Sequence, residues 1–301
     1  MKLIFEQLLV LYLFIAIGFL LGKLFKKKCE NTSILSILLV NVFLPAKVFK
    51  SFATNFTTDF IVQKYTLLIA SCTLLLVLVV FAPLVAKWLG KTKNEQNVYN
   101  YSVPISNYAY LGYVLIENVF GSAFLTDFIF FAIPFIFYTY TFGYAILTNA
   151  GCNIKKLINP ITIALLLGAI VGVTSVNLPT PILSVISSAS SCVGPLSMIL
   201  TGMVLATFEL GKLFANVNSY IFLVLKMTVI PAICFGACLL LGLKDISFMV
   251  LIITCMPCGL NPIVFSKLVG EDCKPGARLV VLSHIIAMIS LPLWLSLISI
   301  I

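Results

Sequence analysis

The chain has 301 residues, of which 61% are hydrophobic and only 10% charged, with a net charge of +9. A soluble domain carries about 25% charged residues, so a chain this apolar cannot cover its surface with polar groups in water; its natural solvent is lipid. The excess of Lys and Arg does not point to nucleic acid, because it collects in alternate loops between apolar stretches.

A helix needs about 20 apolar residues to cross the hydrocarbon core. Ten stretches are read as such helices, at 4–24, 33–50, 61–87, 97–119, 124–148, 158–176, 181–207, 217–242, 246–267 and 277–300. Helix is expected throughout, since a spanning segment must satisfy its backbone internally and the alternation of a membrane β-barrel is absent. The first stretch carries Gly18 and Gly22. It is longer than a signal core, has no small-residue cleavage site and is followed by the basic run KLFKKK, so it is read as retained. The second has Pro45 and the third Pro83. The fourth contains SVPISNYAYLGYVL, a poor membrane helix with Pro104, Ser106, Asn107 and Gly112. The fifth is apolar. The sixth carries Gly168 and Gly172, the seventh Pro195, and the eighth Lys226 and Pro231. The ninth contains TCMPCGLNPIVF, where Pro257, Gly259 and Pro262 predict a break, because proline removes a donor and clashes with the preceding turn. The tenth holds His284, the single histidine.

The chain repeats itself. Gly18 corresponds to Gly168, Pro45 to Pro195 and Asn107 to Pro257 at an offset of 150, and Pro83 to Pro231 at 148. Two halves, 1–150 and 151–301, each hold five helices. Five is odd, so the second half enters from the opposite side. Such inverted repeats characterise secondary transporters, with the substrate site at the midplane between the halves. The GxxxG spacings are read as packing surfaces rather than binding sites.

Topology follows from the loops. With the N-terminus outside, thirteen of the basic residues fall in inner loops and five outside, with Lys226 inside a helix. The positive-inside rule then places both termini outside, in the cell membrane. The inner set includes Lys26, Lys27, Lys28, Lys156 and Lys212. Such charge faces anionic lipid headgroups.

The broken segments point to the chemistry. A break at mid-membrane exposes backbone groups and is tolerated only beside protein or a watery cavity, and half-helix N-termini donate to anions. All ten acids fall near predicted helix ends or in loops, so neither break has a midplane carboxylate of the kind a proton or sodium antiporter needs. A site without acids prefers an anion. Asn107 and Asn261 are the expected substrate ligands, with Ser106, Tyr108 and Tyr110 as pocket lining; plain helix packing is the alternative for the tyrosines. Pro104, Gly112, Pro257, Gly259 and Pro262 are the expected helix-breaking positions. Lys226 and Lys47 are read as snorkelling to the surface, and His284 as a satisfied interior histidine rather than a proton relay. The CxxC of Cys255 and Cys258 lies in an apolar segment with no second pair or nearby His, and is read as small hydrophobes. No cofactor and no metal site are expected.

These residues resemble the auxin efflux carrier family, within the wider bile-acid, arsenite and riboflavin transporter-like superfamily. Its members include plant auxin exporters and bacterial carriers for small carboxylates. MPCGLNPIVFSKLVG is similar to the family's Pro-x-Gly-x-x-Pro crossover, and NYAYLGYVLIENVFG to its Asn-led crossover ending in Phe-Gly. NPITIALLLGAIVGVTSVNLP and CVGPLSMILTGMVL resemble the segments that open the second repeat. One departure is Val114, where the family often has a proline; Pro104 is the alternative place for that break. The resemblance implies an all-α scaffold of helices 1, 2, 6 and 7, a transport domain of helices 3–5 and 8–10 moving as an elevator, helices 4 and 9 crossing at their breaks, and a homodimer. The expected function is therefore secondary transport of a small organic anion, a monocarboxylate or dicarboxylate, with an accompanying coupling ion left open. A sodium-coupled symporter of the bile-acid-carrier type is the alternative. An intramembrane enzyme would need paired aspartates or a His-rich cluster, and neither occurs.

Overall fold

The computed structural model describes residues 2–25, 33–151 and 154–298, and every regular element among them is helical. Lys26, Lys27 and Lys28 of the basic run lie outside the described residues, as do the side chains of Lys156 and Lys212. In chain order the helices are α1 (Lys2–Leu24), α2 (33–55), α3 (Thr58–Leu89), α4 (Lys93–Ser102), α5 (Tyr113–Phe120, entered through a π turn at Tyr108–Gly112) and α6 (Ser122–Thr148). They continue with α7 (Pro160–Thr174), α8 (Thr180–Ala206), α9 (Val217–Leu240), α10 (Lys244–Cys255), α11 (Asn261–Leu268) and α12 (Lys274–Ile298).

Seven of these helices, α1, α2, α3, α6, α8, α9 and α12, are long and apolar enough to cross a membrane. The expectation of ten is met only to that extent. At 15 residues α7 is apolar but shorter. The expected fourth and ninth helices each come as two pieces, α4 with α5 and α10 with α11, and no piece is long enough to cross alone.

Local chemistry sets many of the ends. Thr57 caps α3 by accepting from the Phe60 N–H, Thr92 caps α4 by accepting from Glu95, and Asn159 closes a reciprocal capping box with Thr162 on α7. Each cap satisfies backbone donors that have no intrahelical partner, worth about 1 kcal/mol. Pro45 and Pro195 cannot donate to the preceding turn. Just before them α2 relaxes into a π turn at Leu39–Phe43 and α8 is interrupted at Cys192.

Close backbone approach joins two helix pairs. α1 lies along the second half of α8: a Cβ at Gly18 would strike the Ile199 carbonyl, one at Gly202 would strike the Ile15 carbonyl, and one at Gly22 would come within 2.5 Å of Ala206 Cβ. α7 lies along the second half of α2 in the same way, with Gly168 against Phe49 and Phe52 and Gly172 against Phe52 and Phe56. Adding 150 converts one set into the other: 18 to 168, 49 to 199, 52 to 202, 56 to 206. The small residues pack helices, as expected from their spacing. Around these pairs, α3 packs on α6 and α9 on α10. Leu20, Leu76, Val80 and Ile289 remain uncovered, as suits a surface facing lipid.

Polar side chains gather at helix ends. Lys47 is buried and paired with Glu117, so it does not snorkel as expected; a partner 70 residues away neutralises it in place. Lys64 pairs with Asp127 at 2.9 Å. At the start of α4, Glu95 accepts from Arg278 and Asn216, each at 3.2 Å, and from the Lys91 N–H at 3.0 Å.

Candidate functional site

The two helix breaks meet. Residues 103–107 are non-helical between α4 and the π turn, and 256–260 are non-helical between α10 and α11. The Asn107 N–H donates to the Pro257 carbonyl at 2.7 Å, linking two backbones at residues 150 apart. The Ser106 hydroxyl donates to the Ile253 carbonyl at 2.7 Å. From α12, the Ser283 hydroxyl accepts the Cys258 N–H at 3.0 Å. Gly259 sits against the crossing, where a Cβ would lie 3.6 Å from Asn107 Cα. Broken helices strand backbone donors and acceptors, and each buried one left unpaired costs about 1–3 kcal/mol. The crossing pairs one such donor with one such acceptor, and the Ser106 and Ser283 hydroxyls satisfy two more groups.

The breaking residues divide by role. Pro104 lies inside the first gap, and Pro257 and Gly259 inside the second. Gly112 does not break the chain: it ends the π turn and its N–H bonds the Asn107 carbonyl at 3.1 Å, so the helix runs on into α5. Pro262 lies in the first turn of α11, where its missing N–H costs nothing, and so starts that half-helix rather than opening it. Val114 is helical and packs against Gly194 of α8, which leaves Pro104 as the proline of the first break.

A small cleft of about 40 Å³ opens beside the crossing. All five expected ligands line it: Asn107, Asn261, Ser106, Tyr108 and Tyr110. Their free polar atoms differ. Ser106 spends its proton on Ile253, so it clips the crossing together. Tyr108 shares its hydroxyl with Thr139 at 3.5 Å. Asn261 donates to the Tyr101 hydroxyl at 2.8 Å, and Asn107 lies 3.3 Å from the His284 ring. Reading the sequence missed Tyr113, Thr139 and Tyr140, which also line the cleft. Tyr113 is buried and its hydroxyl has no partner among the described residues. Its place five residues after Tyr108 was the available signal; Tyr140 lies on α6 and had none.

Among the described residues, no acidic side chain lines this cleft. Lys226, on a π turn of α9 (Leu225–Val229), is wholly buried and donates to the Thr254 carbonyl at 3.3 Å, in the last turn of α10. The expected snorkelling to the surface does not occur, because the carbonyl end of a half-helix holds the ammonium inside. Cys255 and Cys258 are buried, free thiols. His284 is an interior residue with both ring nitrogens engaged, as expected, and one of them reaches the site.

No curated protein gives a significant match to the chain. The family model described as membrane transport protein matches residues 3–155 and 147–295, together nearly the whole chain and both breaks. With its several membrane-length helices, the chain is a multi-pass membrane transporter. It belongs to the membrane transport proteins of the auxin efflux carrier family.

Proposed function

We propose that this transporter moves a small organic anion, a carboxylate, across the cell membrane by elevator-type alternating access, and is not an enzyme. In this reading the two halves, 1–150 and 151–301, form a 5+5 inverted repeat of ten crossings with both termini extracellular. α4 with α5 and α10 with α11 serve as the fourth and ninth. The exchange of glycine contacts under a shift of 150 supports that repeat. A homodimer through α1, α2, α7 and α8 belongs to the same proposal and rests on the family resemblance.

The observation that carries the substrate class is the lining of the cleft. It offers the amide groups of Asn107 and Asn261, each with one N–H already held by a protein partner, together with the unpartnered Tyr113 hydroxyl and the beginnings of two half-helices, and among the described residues it offers no carboxylate. First-turn N–H groups have no intrahelical acceptor and carry partial positive charge. Donors that no protein group satisfies favour a ligand made of acceptors, and a carboxylate is one.

The purified protein should be stabilised against heat by acetate, lactate or malate, with and without sodium. Ligand at a hundred times its Kd stabilises by about 2.7 kcal/mol. Asn261→Ala should lose that shift while keeping the unliganded melting temperature within a few degrees, since a hydrogen bond to a charged ligand is worth about 1.5–3 kcal/mol. A shift that appears only with sodium would move the reading to a sodium-coupled symporter. No shift with any carboxylate sinks the anion reading.

A further inference from the structure

The ring of His284 has one nitrogen whose state is fixed by its partner. Nδ1 lies 2.8 Å from the carbonyl oxygen of Val280, one turn earlier on α12. A carbonyl only accepts, so Nδ1 carries a hydrogen. In the neutral ring Nε2 is then a bare acceptor, and it faces Nδ2 of Asn107 at 3.3 Å. The Asn107 amide group therefore donates to the ring. Its carbonyl oxygen has no partner among the described residues and belongs to a side chain that lines the cleft. In this state Asn107 shows an acceptor to the cleft, the wrong face for an anion.

We propose that His284 is a proton-binding site coupled to the anion site through Asn107. When the ring takes a second proton, Nε2–H becomes a donor and can no longer accept from the amide. Asn107 rotates its amide, gives Oδ1 to the ring and turns its NH₂ into the cleft. The face changes from acceptor to donor, and an anion binds. One proton from water enters with one anion, no covalent bond is made, and the buried imidazolium offsets the anion's charge. The surroundings suit a switch with a single titrating group. α1 contributes Tyr12, whose hydroxyl donates to the His284 backbone carbonyl at 2.7 Å. The second break contributes Cys258, whose N–H is held by Ser283, and the first contributes Asn107. α8 contributes the apolar Leu205. Lys226 on α9 is engaged with Thr254 instead, and the ring's two hydrogen-bond partners, Val280 and Asn107, are both uncharged. A second, apolar cleft between α1, α8 and α12, bordered by Tyr12, Leu205 and Met288, touches His284, and Asn107 stands between the ring and the first cleft.

This inference rests on the anion reading, and the test separates the two. His284 is the only histidine in the chain, so isotope-labelled histidine gives one ring signal. In the empty protein at neutral pH the ring should be the Nδ1–H tautomer. As pH falls, the Asn107 side-chain amide signal should shift with the same midpoint as the ring, and in Asn107→Ala the ring midpoint should move. Lactate and malate, as probes, should bind about tenfold tighter per unit fall in pH above that midpoint, the slope of one coupled proton. In His284→Gln, whose amide cannot titrate, whatever affinity remains should show no such slope, and the Asn107 amide signal should no longer move with pH. An Nε2–H tautomer, or an Asn107 signal that ignores the ring's titration, overturns the proposal whatever the ligand. Co-titration in a protein that binds no carboxylate leaves the coupling standing and sinks the anion reading instead. Carboxylate binding with no pH slope in the unmutated protein overturns the coupling and keeps the anion reading.

Discussion

Single side chains at this site are defined by what already holds them. Ser106 and Asn261 both line the cleft, yet the Ser106 hydroxyl is tied to a backbone carbonyl and Asn261 to a phenol. Lys226 is the sharpest case. Moving an ammonium out of water costs several kcal/mol even after relaxation, and its bond to one carbonyl returns about 1.5–3. The favourable field at a helix C-terminus adds up to about 2. The balance is near zero or unfavourable, so the fold does not need this charge. Lys226→Met should accordingly leave the melting temperature unchanged or raise it. It should also weaken carboxylate binding, by threefold to tenfold if the lost field is worth about 0.7–1.4 kcal/mol. An uncharged amide analogue should bind as before. Equal carboxylate affinity in the variant would mean that Lys226 only anchors α9 to α10. Its snorkelling was the natural reading of the sequence, because an apolar window says nothing of which carbonyl a lysine can reach across the bundle.

Helices and their breaks were legible in the sequence to different depths. The fifth stretch, expected at 124–148, is found at Ser122–Thr148, and the third, expected at 61–87, at Thr58–Leu89. Apolar length and capping residues are local, so they can be read along the chain. Pro104, Pro257 and Gly259 marked the breaks for the same reason. What stayed hidden depends on contacts between distant segments: Lys47 with Glu117, Tyr101 with Asn261, and His284 with Asn107. The glycine surfaces lie between these extremes, since their spacing was visible but their partners were not. They give a prediction with an internal control. A Cβ at Gly202 meets the backbone of α1, which cannot turn aside like a side-chain tip, whereas one at Gly236 on α9 meets nothing within 4 Å. Overpacking costs about 1–3 kcal/mol, so Gly202→Ala should lower the melting temperature by several degrees. Gly236→Ala should leave it unchanged or raise it slightly, since alanine favours helix by about 1 kcal/mol. Equal melting temperatures for the two variants would mean that α1 and α8 are not held in this close contact.

The whole molecule works only if one part slides past another. In the proposed elevator, α5 belongs to the moving body and α8 to the fixed one, so contacts between them must break in each cycle. One such contact can be locked. A Cβ built on Gly194 of α8 lies 3.7 Å from Cβ of Val114 on α5, close to the mean of about 3.8 Å across disulfides. Val114→Cys with Gly194→Cys should therefore oxidise to a bridge in this state without a large shift of either backbone. A bridge across a sliding surface removes the motion and leaves the binding cleft in place. Oxidised double variant in liposomes should then bind carboxylate normally by thermal shift, yet take it up at least tenfold more slowly, with recovery on reduction. Gly194→Cys alone puts its side chain against Val114, so it sets the baseline for any packing cost, and Val114→Cys alone does the same from the other side. The native thiol at Cys192, near Gly194 in sequence, is replaced by serine so that it cannot capture the new cysteine. Crosslinked protein that transports at the reduced rate would show that α5 and α8 travel together. The alternating access would then have to come from some other boundary, and the division into a scaffold of α1, α2, α7 and α8 would fall with it.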